Sequence, residues 1–576
     1  MKIKSLLFLF LFLCYLFLKN TAEAQNIDPQ YIFVRKSPMH CSPNCSYLWN
    51  FDYPQNINNQ TMLEVVNAIG TRGNDKRKLG IGVEINYNHC YNFTRIKQSL
   101  TNLLNTAEQN NVPLFINLNG FQWWGDVVHC PNGGRPDLWN WWDPNLPGYN
   151  PENKNNVEWS CWQNTCSHNK AWRNWGGGEF VVRPHPNLAS RNFIEKSKER
   201  LEELLSIIAQ WYQQLPEEKK WLLGGIANGT EIDIGANYRV YPDNDHPVDN
   251  LSLTLQLGYA AIKTASIRAS GGPPTSQELN EVIKRYLNEL NQFTFQKGIP
   301  RSKIYNHAFA IELAPLPFPS PISFPTSNAA LNEYGKPGWS FYGGIAFNPQ
   351  NYSGLINALT IINNTEWASP EWNPLIANDN NQYQNWLNAL RNTLNFRNLR
   401  FINISNWEEI RTDLDILNAL KTVLNESPSC WVTGPYLNYP QIQGGNVNLS
   451  WIKGENNNAV YLNIATKNEF NLDGTFKTVD IVNSNVTNQS IYNLTNLYPK
   501  TYYYLLTASG CNPSQKRLVY GKFVVGDFNN DNQIDGKDVK ILLSNYFFSN
   551  PAFNLNNDNK INGFDFGLLS SGIKEK

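Results

Sequence analysis

The feature that most restricts the fold is a series of eight short apolar runs between residues 25 and 426. In order they are YIFVR (31–35), IGVEIN (81–86), PLFINLN (113–119), WLLGGIAN (221–228), KIYNHAF (303–309), WSFYGG (339–344), EWASPEW (366–372) and LRFINIS (399–405). Each has the length of a strand buried on both faces. Between many of them lie segments with apolar residues three and four apart, such as FIEKSKERLEELLSIIAQWYQQL and SQELNEVIKRYLNELNQF, the pattern of an amphipathic helix. Strand–helix alternation sustained over this length predicts an α/β fold for residues 25–426, a (β/α)8 TIM barrel.

Beyond residue 426 the pattern changes. Residues 427–525 carry short alternating runs between turn residues, among them NVNLSWIKG with Trp451 and NAVYLNIATK. Within NLTNLYPKTYYYLLTASG, Leu497, Pro499, Thr501 and Tyr503 form L-x-P-x-T-x-Y, which predicts that the Tyr503 hydroxyl folds back onto the preceding loop. The segment resembles a fibronectin type III domain, an all-β sandwich, and the resemblance implies a spacer.

Residues 526–576 repeat the pattern D/N-x-N-x-D-x-x-I-D/N-G-x-D. Oxygen ligands at loop positions 1, 3, 5, 9 and 12, with a backbone carbonyl at position 7, suit Ca2+. The first set is Asp527, Asn529, Asp531, Asp535 and Asp538 with the Gln533 carbonyl; the second is Asn554, Asn556, Asp558, Asn562 and Asp565 with the Lys560 carbonyl. Asn554 at position 1 removes a charge, so the second site is expected to be the weaker. Each loop runs into an apolar helix pattern. The duplication resembles a dockerin, a small all-α calcium module, and implies a cohesin-like protein partner.

The N-terminus begins with two lysines before an apolar run from Leu6 to Leu18, then AEA at Ala22–Ala24. These mark residues 1–24 as a secretory signal peptide and predict a secreted chain with no membrane span after cleavage. Eight cysteines remain after Cys14 departs, and an even count in a secreted chain implies disulfides. Cys430 and Cys511 are expected to pair; pairing among Cys41, Cys45, Cys90, Cys130, Cys161 and Cys166 is left open by spacing. With 48 basic and 48 acidic residues, the chain lacks the charge footprint of a nucleic-acid or anionic-membrane binder. Asn-x-Ser/Thr sequons are frequent, and one, Asn228-Gly229-Thr230, abuts Glu231.

Glu231 follows the fourth run directly, and Glu371 closes the seventh. Barrel active sites lie at the C-terminal strand ends, so these two acids are expected to face each other across the mouth. A retaining glycosidase needs such a pair about 5–5.5 Å apart. The layout resembles that of clan A glycoside hydrolases. The resemblance implies hydrolysis of a polysaccharide or glycan, with Glu231 as acid/base, Glu371 as nucleophile and no catalytic cofactor. Glu366, at the start of the seventh run, falls at the wrong end. The clan usually has Asn directly before the acid/base; here Thr230 stands there, with Asn228 nearby. Trp407, just past the eighth run, fits the aromatic platform under the first sugar. A non-catalytic glycan-binding adhesion protein and an inverting glycosidase are the rival readings.

The loop after the third run, residues 121–180, holds nine of the 19 tryptophans. Trp123, Trp124, Trp141 and Trp142 are candidates for stacking against sugar rings, with Asp137, Asp143, Glu158, Arg135 and Arg173 between them as hydrogen-bonding partners. Some of the indoles must instead form a small core over the barrel rim. His307, at the end of the fifth run, is a candidate substrate contact.

Overall fold

The computed structural model describes residues 29–36, 49–122, 124, 134–174, 179–242, 253–313, 322–363, 365–376, 381–428, 432, 434–510 and 516–574. The signal segment, Trp123, Cys430 and Cys511 lie outside the described residues. Eight parallel strands form one sheet: β1 (Gln30–Arg35), β2 (Arg77–Asn86), β3 (Leu114–Asn119), β4 (Leu223–Asn228), β5 (Ile304–Tyr305), β6 (Gly338–Tyr342), β7 (Trp367–Asn373) and β8 (Leu399–Ile404). Their order is β5-β4-β3-β2-β1-β8-β7-β6. The ring closes between β5 and β6, where Asn306 N–H donates to Lys336 O at 2.7 Å and Ala308 N–H donates to Gly338 O at 3.1 Å. All eight apolar runs supply a strand, and the result is a closed parallel barrel.

Helices α1 (Asn59–Ile69), α2 (Phe93–Asn110), α3 (Arg191–Gln214), α4 (Ser276–Gln296), α5 (Ser353–Ile361), α6 (Gln382–Leu394) and α7 (Leu414–Asn425) belong to the crossovers. In α3 the buried residues Phe193, Ile194, Ser197, Leu201, Leu204, Leu205 and Ile208 recur on one face, as the helical period requires. Thr275 and Glu278 cap α4 reciprocally. The described residues between β5 and β6 contain only two 3-10 turns in place of a helix. Inside the barrel Phe33, Phe115 and Phe401 pack with Tyr31 and Tyr305. A Cβ at Gly224 would lie 2.4 Å from the Phe33 ring and one at Gly225 2.9 Å from Tyr305, which explains the paired glycines of WLLGGIAN.

Past α7 the chain forms two antiparallel sheets. One contains β9 (Tyr436–Leu437), β10 (Gln441–Gln443), β11 (Asn446–Ile452) and β14 (Ile491–Leu494); the other runs β13 (Val482–Asn485), β12 (Ala459–Ala465), β15 (Thr501–Ser509), β16 (Lys516–Val524). Val447, Leu449 and Trp451 alternate into the space between them. The tyrosine that folds back is Tyr502, one residue before the expected Tyr503: its hydroxyl donates to Tyr498 O at 3.0 Å. Strand alternation decides this, because Tyr502 and Tyr504 face the core whereas Tyr503 lies on the opposite face and is half-buried.

The sandwich is not a free spacer. Phe470, Phe476, Leu505 and Leu518 form one apolar cluster with Tyr334 and Phe295 of the barrel unit. At the N-terminal end of β7, buried Glu366 meets Lys336, Arg400 at 3.3 Å and Arg517 of the sandwich at 3.2 Å. Helices α8 (Gly536–Ser544) and α9 (Gly563–Lys574) then pack Leu542 and Leu569 into the sandwich core, joined by Ile561 from the loop before α9. Among the described residues no helix is long and apolar enough to cross a membrane.

Burial alone would push the Glu366 carboxyl up, but Arg400, Lys336 and Arg517 overcome it and hold it at about 2. A carboxylate depressed in the folded state stabilises the fold above its unfolded pKa, and the contribution is lost as pH falls towards the folded value. Glu366→Gln removes the anion that Lys336, Arg400 and Arg517 share and should cost about 3–5 kcal/mol at neutral pH. In thermal melts the deficit should be constant above about pH 5 and shrink as pH falls towards 2. A deficit that does not depend on pH would contradict the electrostatic origin.

Candidate active site

Glu231 stands three residues beyond β4, on a turn that cannot relax. Its backbone is left-handed, with φ +44°, after Gly229 at φ +116°; a non-glycine residue there is strained and needs outside support. Support comes from both flanks. Ile232 N–H donates to His307 O at 2.9 Å, and Phe309 N–H donates to Ile232 O at 3.0 Å, tying the turn to the loop after β5. Asp233 accepts the Ala236 N–H at 3.1 Å, and Asn237 returns its amide N–H to Glu231 Oε2 at 3.0 Å. The next residues, Tyr238–Arg239, pair with Ala171–Asn174 of the long loop after β3.

Glu371 lies within β7 where the ladder is irregular. Register shifts flank it against both β6 and β8, and such bulges re-aim side chains at barrel rims. The Arg35 guanidinium, at the end of β1, lies 2.9 Å from Glu371 Oε1 and 3.7 Å from Glu84 on β2. Asn406 accepts from Arg35 at 2.6 Å, and Asn119 donates to Glu84 at 2.9 Å. Burial first, and then the charges of Glu371 and Glu231, raise the Tyr342 hydroxyl well above its usual range. His307 completes the group: Asn117 donates to its Nδ1 at 3.2 Å, and its Nε2 lies 2.8 Å from Ser340 Oγ and 3.8 Å from Glu371.

The two carboxylates thus meet. One ligand atom each from Glu231, His307 and Glu371 lie within 4.8 Å of one another, and all three residues are buried. Burial first, and then the nearby Glu371 charge, push the Glu231 carboxyl up to about 8, while hydrogen bonding from Ser340 works in the opposite direction. Burial lowers His307 to about 4, so its imidazole is neutral at ordinary pH. Burial works against the Arg35 charge, but Glu371 and Glu84 outweigh it and keep the guanidinium protonated. A cation could use the same three ligands, yet Arg35 already supplies positive charge at Glu371. The arrangement suits a protonated carboxyl opposite an ionised one.

Several expected contacts fall elsewhere. Trp407 is fully buried and donates to Glu64 at 3.2 Å, so it offers no exposed face to a sugar. Trp124 is buried as well, its indole N–H given to Pro184 O at 2.9 Å. Asn228 donates to Asn291 and Thr294, both at 2.9 Å, which directs its amide away from the mouth and leaves no room for a glycan. His307 has both ring nitrogens within hydrogen-bonding distance of protein groups, Asn117 and Ser340. Trp141 and Trp142 are half-buried, and Arg183 lies 5.3 Å from the Trp142 ring centre. Around them Asp137 pairs with Arg135, Glu158 accepts from Gly258 and Ala261, and Arg173 donates to Gln122 O. These polar groups brace the loop. Cys161 and Cys166 form a disulfide within it.

Sequence reasoning missed Arg35, Glu84, Ser340 and Tyr342. A signal was present: each is a polar or ionisable residue inside an otherwise apolar run, and three of them stand near its C-terminal end.

No protein-family model and no curated protein matches the chain. Among solved structures, the catalytic domain of β-amylase from Paenibacillus polymyxa is similar at 9% identity and a TM-score of 0.36, over 69% of this chain and 98% of that one. A GH5_18 protein from Bifidobacterium longum subsp. infantis is similar at 8% identity and a TM-score of 0.35, over 70% and 79%. The catalytic domain of the GH26 endo-β-1,4-mannanase of Bacillus sp. JAMB-750 is similar at 10% identity and a TM-score of 0.32, over 69% and 87%. The barrel assignment rests on strand order and closure.

Proposed function

We propose that the chain is a secreted, retaining glycoside hydrolase acting on a polysaccharide or glycan. The observation that carries the reading is the pair Glu231 and Glu371, with carboxylate oxygens within 4.8 Å at the ends of β4 and β7. That spacing fits direct attack on the sugar, for which about 5–5.5 Å is typical; an inverting enzyme needs about 6.5–9.5 Å to admit a water. Glu371 attacks the anomeric carbon as the bond to the leaving oxygen breaks, and Glu231 gives its proton to that oxygen. Water then attacks the glycosyl-enzyme, losing a proton to Glu231 and releasing Glu371. The Glu231 carboxyl, raised to about 8, is protonated when the first step needs an acid. Trp141 and Trp142 are the stacking candidates that remain half-exposed.

In the same reading the tail binds two structural Ca2+ and tethers the enzyme to a cohesin-like partner. The donor set suits the ion. Positions 4 and 6 of both loops, Asn530 and Asn532, Asn557 and Asn559, share left-handed backbone. Asn554 Oδ1 is buried with no hydrogen-bond donor, an acceptor that a cation would satisfy. The residues that would hold Ca2+ are those of the two repeated sets, and the ion would supply loop closure only. Exposed Phe547, Phe548 and Phe564 support a protein partner.

Glu231→Gln should lower hydrolysis of substrates with poor leaving groups by about 10²–10⁴-fold, spare activated aryl glycosides in the first step, and be rescued by azide. Glu371→Gln should abolish turnover of both while keeping a native circular-dichroism spectrum. An active Glu371→Gln enzyme would contradict the assignment. For the tail, a chelator should lower the melting temperature of the full chain, because the tail helices share the sandwich core. No bound Ca2+ and an unchanged melt would contradict the calcium reading.

A further inference from the structure

Arg183, in the long loop after β3, is a guanidinium without an acceptor. It follows the strand Glu179–Val182, which pairs with Ala171–Asn174, and that segment pairs in turn with Tyr238–Arg239 beyond Glu231. Two residues further on, a His185 ring nitrogen lies 2.9 Å from the carbonyl oxygen of Asp233, in the turn that carries Glu231. Arg183 therefore belongs to the framework that holds the acid. Its guanidinium carbon lies 4.7 Å from the Trp139 ring centre and 5.3 Å from that of Trp142, and the two indoles stack 5.4 Å apart. Among the described residues it makes no hydrogen bond and no ion pair, and its Nε is buried without a partner. Other arginines of the loop differ: Arg135 pairs with Asp137, and Arg173 donates to Gln122 O at 2.6 Å. Burial lowers the Arg183 pKa, and the charge of Asp143 offsets only part of that.

Indole faces attract a guanidinium but accept none of the hydrogen bonds it offers. An arginine drawn out of water with those donors unused is a costly brace, because its charge has no partner. It is a suitable receptor, since its planar fork meets an oxyanion with two parallel hydrogen bonds. Trp142 is half-buried, so a sugar ring can stack on the indole while an acidic group on that sugar meets the guanidinium beside it. We propose that Arg183 and Trp142 form a subsite for an acidic sugar, one bearing a carboxylate or a sulfate ester, and that the substrate is an anionic glycan. The inference rests on the hydrolase reading of the mouth and names its substrate class. With 48 basic and 48 acidic residues, the chain has no general attraction for polyanions. Selectivity for the acidic sugar is therefore local to this arginine.

The test probes the full-length protein carrying Glu371→Gln, which by the same reading binds without turnover, on an array of neutral, uronate-bearing and sulfated glycans. The bound glycans should all carry a uronate or a sulfate ester, and the class retained identifies the anion. Adding Arg183→Gln should weaken that binding by about 10–100-fold, the size expected for losing hydrogen bonds to a charged group. Arg183→Lys keeps the charge and loses the fork, so its affinity should fall between the two. If Arg183→Gln lowers the melting temperature, the Lys variant, with its cation still against the indoles, carries the test. Binding confined to neutral glycans, no binding anywhere on the array, or an affinity unchanged by the Arg183 substitutions would overturn the proposal. Release of reducing ends from the same glycans by the wild-type protein is measured in parallel. Arg183-dependent binding without cleavage would remove the hydrolase reading and leave the acidic subsite standing. Cleavage of neutral glycans alone would do the reverse.

Discussion

Two carboxyl groups buried within 4.8 Å of each other are the constraint on which the barrel mouth depends. Like charges that close cannot both ionise at low cost inside a protein, so one is driven to hold its proton. The two carboxyls differ in their neighbours. Glu371 lies against Arg35, whereas Glu231 sits on a strained turn where the amide of Asn237 and the more distant charge of Arg173 favour its ionised form against burial and the Glu371 charge. The left-handed backbone of Glu231, the bulge around Glu371 and the pairing of the long loop with Tyr238–Arg239 all serve to keep this separation.

Strand β7 shows how environment sets the task of an acid. Glu366 precedes its first residue and Glu371 lies near its other end, both buried. Glu366 faces three cations, one from the sandwich, and functions as a tie between units at the barrel base. The apolar cluster of Phe295, Tyr334, Phe470 and Leu518 surrounds that tie with surface that must stay covered. The sandwich is therefore part of the barrel's foundation at the end away from the mouth. The tail is in turn seated on the sandwich: Gly444 N–H donates to Ala552 O at 3.1 Å, and Asn557 pairs with Asn446 and Asn496.

The barrel was legible because each strand is buried on both faces and reads as a nearly pure apolar run; all eight runs form strands. The positions of Glu231 and Glu371 followed from strand order alone. What failed was side-chain direction. Trp407 and Asn228 occupy positions consistent with substrate contact, yet local packing turns one into the core and the other towards α4. Tyr503 was displaced by Tyr502 because alternation along a strand reverses a side chain with a shift of one residue. Arg35 and Ser340 escaped notice because their partners, Glu371 and His307, lie more than 30 residues away in sequence.

The account's central claim is that Glu371 attacks the sugar directly. Its most direct test follows the anomeric configuration of the first-formed product by proton NMR, before mutarotation, during hydrolysis of a susceptible glycan by the full-length protein. Retention of configuration is the predicted result, because two displacements restore the starting anomer. Inversion would mean that a water stands between sugar and carboxylate, and would contradict the account.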